Sequence, residues 1–185
     1  MYNHTNSVNK SVHHHIRALR HIRSSIYEDI AKMVACVLIG SRIDYANSVL
    51  YGTTNKNIPK IQKAENFCAH VLTNSLQPSS YTLLQQLHWL PTEYCINFTI
   101  ADITFHTLHS FQPAYLYSAL HAHRSTCSLR WSNNNLLSVP FLRTSFGTCS
   151  FGVAAPKIWN SLSPAFQMCT SPNTFHNHLK THYFQ

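Results

Sequence analysis

The chain has 185 residues and a mass of 21.2 kDa, the size of one ordinary domain or two very small ones. Only 11% of residues are charged, against roughly 25% in typical soluble domains, while the 14 histidines equal Lys and Arg combined and the formal net charge is +8. An apolar content of 44% argues against disorder, and four glycines exclude fibrous and low-complexity classes. The charge is uneven: residues 1–63 hold nine Lys/Arg and three acids, and no carboxylate side chain follows Asp102.

Residues 1–9 are polar and read as a flexible tail. A first helix is predicted over Ser11–Ser24, where Val12, Ile16, Leu19 and Ile22 form one apolar stripe. Lys10, His13, Arg17, Arg20 and Arg23 lie largely off it. Ser25-Ile26-Tyr27-Glu28 has the form of a capping box, so a second helix is expected from Ser25, burying Ile30, Val34, Val37 and Leu38. Gly40 is a candidate end or bend, and Ser41–Leu50 should be helical again. A third helix starts near Pro59, with Ile61, Ala64, Cys68, Val71 and Leu72 on its core side. Gln77-Pro78-Ser79-Ser80 reads as a linker, followed by a short helix over Tyr81–Leu87 and a longer one from Pro91 to about Ser110. The long helix is apolar on two sides, through Ile96, Ile100 and Ile103 and through Phe98, Ala101, Phe105 and Leu108. That pattern marks a central helix. Leu136–Phe141 and Thr144–Phe151 lean towards β and read as a hairpin; Val153–Leu162 and Thr174–Tyr183 return to helix. The fold class is therefore mainly α, a helical bundle-like architecture with a small β-hairpin near residues 134–151. The expected division is a tail (1–9), a basic helical segment (10–76) and a helical segment with the hairpin and a last helix (77–185).

Little in this sequence points to catalysis. The histidine clusters are His13-His14-His15, His106/His109, His121/His123 and His178/His182. Only the last pair has i, i+4 spacing on one helix face, and neither C-x-x-C nor His-Glu-x-x-His supplies further ligands, so no metal is expected. Two-metal phosphoryl transfer needs several converging carboxylates, and Asp29, Asp44 and Asp102 are the only aspartates. Cys68 lies two residues from His70 but on an apolar stripe, where a buried inert thiol is expected. No nucleotide-binding glycine motif occurs, and no cofactor or catalytic residue is assigned. The six cysteines stand far apart and read as thiols. The opening MYNHTNSVNK has no apolar stretch, and the longest apolar run, Met33–Ile39, is far short of the roughly 20 residues that cross a bilayer. An intracellular chain without membrane contact is expected, with nucleus and cytoplasm both open.

Nucleic-acid contact is the best-supported chemistry. Arg17, Arg20, Arg23, Lys56, Lys60 and Lys63 form one basic surface if the first and third helices pack side by side, and Tyr27, Tyr45 and Tyr51 are available for stacking. Such contacts follow the backbone of RNA or DNA and carry little sequence information. The same charges would also serve as the solvated faces of amphipathic helices.

Five stretches carry a family resemblance. They are SVHHHIRALRHIRSSI (Ser11–Ile26), SRIDYANSVLYG (Ser41–Gly52), LHWLP (Leu87–Pro91), LRWSNNNLLSVP (Leu129–Pro140) and FGVAAPKIWNSL (Phe151–Leu162). In this order they resemble the region downstream of the catalytic core in non-LTR retrotransposon reverse transcriptases of the jockey type, across about Lys10 to Phe184. The resemblance implies a thumb-like helical region that contacts the template–primer duplex of an RNA-directed DNA polymerase, truncated from its endonuclease and from the palm with its Tyr-x-Asp-Asp motif. It therefore implies a non-catalytic remnant with at most residual RNA or DNA binding. A helical protein-interaction module, self-associating through surface that the palm would cover, is the alternative reading, as is a translated remnant without selected function. Where the family commonly has arginine, this chain has His70, Cys95, Cys127 and Cys149. Deamination of methylated CpG makes such changes, a history that codons one transition from CGN would record.

Overall fold

The computed structural model describes residues 2–45, 47–52, 57–74, 79–123, 135–144 and 147–184. The described chain is mainly α-helical, with no strand among these residues. It divides into two compact units, 1–95 and 96–185. The boundary anticipated at 76/77 falls inside the first unit, and Gln77 and Pro78 lie outside the described residues.

The first unit opens with α1 (Tyr2–Ile22), which continues into a 3-10 turn at Arg23–Ser25. No tail precedes this helix in the described residues: it starts at Tyr2, not near Ser11. The reason is that Thr5 and Val8 extend the stripe of Val12, Ile16 and Leu19 upstream, and Thr5 is fully buried. Asparagine and serine between them hide that periodicity. After the turn come α2 (Glu28–Ala35), a π-turn over Cys36–Gly40, α3 (Ser41–Asp44) and a 3-10 turn at Asn47–Leu50. The capping box does not start α2, because Ser25 is held in the 3-10 turn and Tyr27 occupies the N-cap position in an extended conformation. Its buried side also differs from expectation. Ala31, Ala35 and Ile39 point inward, while Ile30, Val37 and Leu38 are exposed and Val34 is half-buried. Two alanines on one side let the helix lie close against its neighbours, and close packing recovers dispersion contacts that a bulkier face would forfeit.

Helix α4 (Ile58–Thr73) carries Pro59 in its first turn and ends at Asn74, which takes the left-handed conformation (φ 46°) common at helix stops. It packs along α1. Ile61, Ala64, Cys68 and Leu72 are buried as their spacing predicts, with Ala69 and Glu65 beside them. Helix α5 (Ser80–Gln86) sets Leu83 and Leu84 against Ala69, joined by Leu87 and Trp89.

Helix α6 (Thr92–Ser110) starts in the first unit and supplies the second with Ile96, Ile100, Ala101, Thr104, Phe105 and Thr107, all buried. Half-buried Phe98, Ile103 and Leu108 complete the two-sided apolar pattern. After α7 (Ala114–Tyr117) and a 3-10 turn at Gly147–Cys149 come α8 (Phe151–Ser161), α9 (Pro164–Gln167) and α10 (Pro172–Phe184). Phe105 stacks on Phe175 with centroids 4.2 Å apart, and Trp159 lies 6.2 Å from Phe175.

The expected hairpin is absent from the described residues. Leu137 makes one isolated antiparallel bridge, to Ala122, with hydrogen bonds His123 N–H to Leu136 O (2.9 Å) and Ser138 N–H to His121 O (2.7 Å). Asn160 supplies the rest: its Oδ1 accepts from Leu137 N–H at 2.9 Å and its Nδ2 donates to Leu137 O at 2.8 Å. The anticipated second strand instead holds the 3-10 turn and the start of α8; residues 134, 145 and 146 lie outside the described set. The β-leaning composition reflects an extended segment whose backbone is satisfied by one short bridge to residues 121–123 and by a side-chain amide, not by a hairpin.

Candidate nucleic-acid interface

The apolar stripe of α1 faces inward, so geometry leaves its polar residues to form a second line. Lys10, His13, His14 and Arg17 recur at i, i+3, i+4 and i+7, which sets them on one helix face. Together with Asn9 they line an open cleft of about 490 Å³. His14 stacks on His15, with centroids 5.5 Å apart, and His13 sits against Phe67 of α4 at 6.3 Å. The two fixed cations, Lys10 and Arg17, make this open face of α1 locally basic, and positive charge of this kind attracts phosphate.

The six basic residues singled out in the sequence have different fates. Arg17 lines the cleft, and Arg20 is exposed one turn further along α1. Arg23 is engaged elsewhere: its Nε donates to Leu72 O at 2.7 Å and its Nη1 to Ile26 O at 3.3 Å. It thereby satisfies a carbonyl of the last turn of α4, where helix carbonyls lack partners and a cation is favoured. On α4, Lys60 is half-buried and Lys63 is exposed one turn before Phe67 on the same face. The contacts His13–Phe67 and Arg23–Leu72 fall in the same order along both helices, so the N-terminal half of α4 lies towards the N-terminal half of α1. Lys56 lies outside the described residues. The side-by-side packing of α1 and α4 is present, but its basic surface centres on Lys10 and Arg17 rather than on Arg23. Lys10, His13 and His14 join Arg17 on this face, as their spacing alone allows, although they are not among those six. Of the stacking candidates, Tyr27 and Tyr45 are exposed and Tyr51 is half-buried.

Helix α4 also shares a buried polar knot with the start of α6. Glu65 is only 4% exposed, and its Oε2 accepts from Thr92 Oγ1 at 2.9 Å and from Gln62 Nε2 at 3.1 Å. Gln62 Oε1 in turn accepts the Thr92 N–H at 2.8 Å, a donor at the start of α6 that the helix cannot satisfy itself. Burial pushes the Glu65 carboxyl up to about 7; the Thr92 and Gln62 hydrogen bonds oppose that rise and the Asp44 charge adds to it. Cys68, one turn along, is buried, and desolvation pushes its thiol up to about 12, the opposite of an activated nucleophile.

The remaining chemistry-bearing residues sit apart. Asp29 opens α2, Asp44 ends α3 and Asp102 lies on α6, where its Oδ1 is 3.7 Å from His176 Nδ1 and 4.0 Å from His106 Nε2. His182 packs edge-on against Phe166 at 5.3 Å. Among the described residues no group of three or more His, Cys, Asp or Glu is arranged to hold a metal ion. No described helix is long and apolar enough to cross a membrane. Of the four positions where the resemblance leads one to expect arginine, His70 Nε2 lies 3.3 Å from Ser80 Oγ, Cys95 Sγ donates to Leu90 O at 3.2 Å, Cys149 sits in a 3-10 turn, and Cys127 is outside the described set.

Two of the five resemblance stretches have a packing explanation. LHWLP is a helix stop: Trp89 N–H bonds Leu84 O at 2.9 Å, His88 N–H bonds Gln85 O at 3.0 Å, and His88 is left-handed (φ 55°). That is the Schellman arrangement, completed by apolar contact of Trp89 with the Leu83–Leu84 cluster. In the α8 stretch, Val153, Ala154, Ala155, Pro156, Ile158, Trp159 and Leu162 are all buried, and Trp159 Nε1 donates to Asn135 O at 2.7 Å. No protein-family description, curated protein or solved structure matches the chain.

Proposed function

We propose that this chain binds the sugar–phosphate backbone of RNA or DNA, without catalysis, as a relative of the region that follows the palm in jockey-type reverse transcriptases. The observation that carries the reading is the cleft lined by Lys10, His13, His14 and Arg17, with Arg20 continuing its line along α1. Phosphate contacts of this kind release counterions, so affinity falls linearly on a log–log plot with salt. Packing accounts for LHWLP and the α8 stretch, which fits a scaffold role for both.

The test is fluorescence anisotropy with a short RNA duplex and an RNA–DNA hybrid between about 50 and 200 mM salt. Lys10→Ala with Arg17→Ala should lower the salt slope by about 2, roughly one unit per lost phosphate contact, for every sequence tried. Arg23→Ala should leave the slope unchanged while costing about 1–2 kcal/mol of stability in urea titration, because its bond to Leu72 O is charge-assisted and part-buried. Binding that ignores salt, or a slope the double variant does not move, defeats the reading.

A further inference from the structure

We propose that two copies of this chain pair along the exposed apolar face of α2 and its π-turn, antiparallel and related by a two-fold axis. This segment is apolar on both sides. With Ala31, Ala35 and Ile39 turned inward, Tyr27 (81% exposed), Ile30, Met33 (67%), Val37 (62%) and Leu38 are left outside. Their spacing makes them one stripe, presenting roughly 600 Å², at the upper end of what monomers expose. A standard interface buries about 800 Å² per partner, a size the polar rim of Glu28, Asp29, Cys36 and Arg42 brings within reach.

Charge selects a second copy as the occupant. The chain carries +8, so two copies repel across most of their surfaces. Residues 27–40 carry none of that excess, holding two acids and one lysine, and Lys32 is already paired with Glu28 at 2.7 Å. A phosphate or anionic lipid surface finds no basic cluster on this face. The stripe is also self-complementary: acids sit at its Glu28–Asp29 end and exposed Arg42 beyond its other end. Antiparallel pairing sets each Asp29 against the second copy's Arg42, whereas parallel pairing juxtaposes like charges. The register that does so gathers Met33, Val34, Val37 and Leu38 around the axis and brings the two exposed Cys36 thiols level with each other.

Sedimentation velocity on the full chain should show a dimer at roughly 100 µM, where a Kd near 10 µM leaves most chains paired, and one that persists as salt rises. Met33→Glu with Val37→Glu should give a monomer with unchanged helical circular dichroism, since both positions are exposed. Asp29→Arg alone should weaken pairing about two- to five-fold, as expected for a rim ion pair, and adding Arg42→Asp in the same chain should restore it. A chain retaining Cys36 as its sole cysteine should be cross-linked to a dimer by a short bismaleimide. A monomer at that concentration overturns the proposal and assigns the face to a different protein. So does a dimer that survives the double glutamate variant, or one that the charge exchange fails to restore.

Discussion

Glu65 shows how one residue acquires a property its neighbours in sequence do not predict. It sits on the core side of α4, where charge is costly, and it persists because Thr92 and Gln62 hydrogen-bond its carboxyl group. With its carboxyl raised from 4.5 to about 7, the folded chain holds a proton that the unfolded chain has released between those values. Stability from this group is therefore complete below about pH 4.5 and is lost as pH rises through about 7, a change of about 3 kcal/mol. The Glu65→Gln variant keeps an acceptor for Thr92 and removes the titration. Urea titrations from pH 5 to pH 8 should show its stability relative to the parent rising by about that amount; a constant difference would mean that Glu65 does not titrate in this window. The comparison between the two chains cancels the contribution of the 14 histidines.

At the scale of elements, helices α4, α6, α8 and α10 lie close to where their periodicity puts them. A 3.6-residue repeat is a local property, and burying its stripe is favourable in almost any helical context. Element ends were less legible because they depend on chain direction. The S-x-x-E at Ser25 is spent on a 3-10 turn, whereas the Gln85–Trp89 run, which holds no glycine, forms a complete Schellman stop. In that stop His88 holds the left-handed position that glycine usually takes, at a steric cost of about 1 kcal/mol. His88→Gly should accordingly raise stability by about 0.5–1 kcal/mol, read as a higher melting temperature with unchanged helicity. Loss of stability would show that the imidazole's own contacts outweigh the strain. The inner face of α2 could not be read at all from its pattern. Both sides are apolar, and hydrophobicity alone favours Ile30, Val37 and Leu38, yet the alanine side fits the neighbouring helices.

For the whole molecule, the unusual balance of the composition becomes a statement about charge. A net charge of +8 draws the chain to any polyanion. Raising salt from about 50 to 200 mM should then weaken binding of RNA and DNA duplexes of unrelated sequence alike. A preference for one sequence that persists across this range would mean that base edges are read. By itself the sequence determined the helical class, the positions of α4, α6, α8 and α10, the buried thiol of Cys68 and the basic character of the first helix face. All of these follow from residue type and short-range spacing. Only the tertiary structure decided that Arg23 closes α4 instead of facing a ligand, that Glu65 is enclosed, that Asn160 satisfies the Leu137 backbone, and that α2 turns its larger side chains outward. Each of those outcomes depends on which surface another element presents, since desolvation and close packing are settled between segments far apart in the chain.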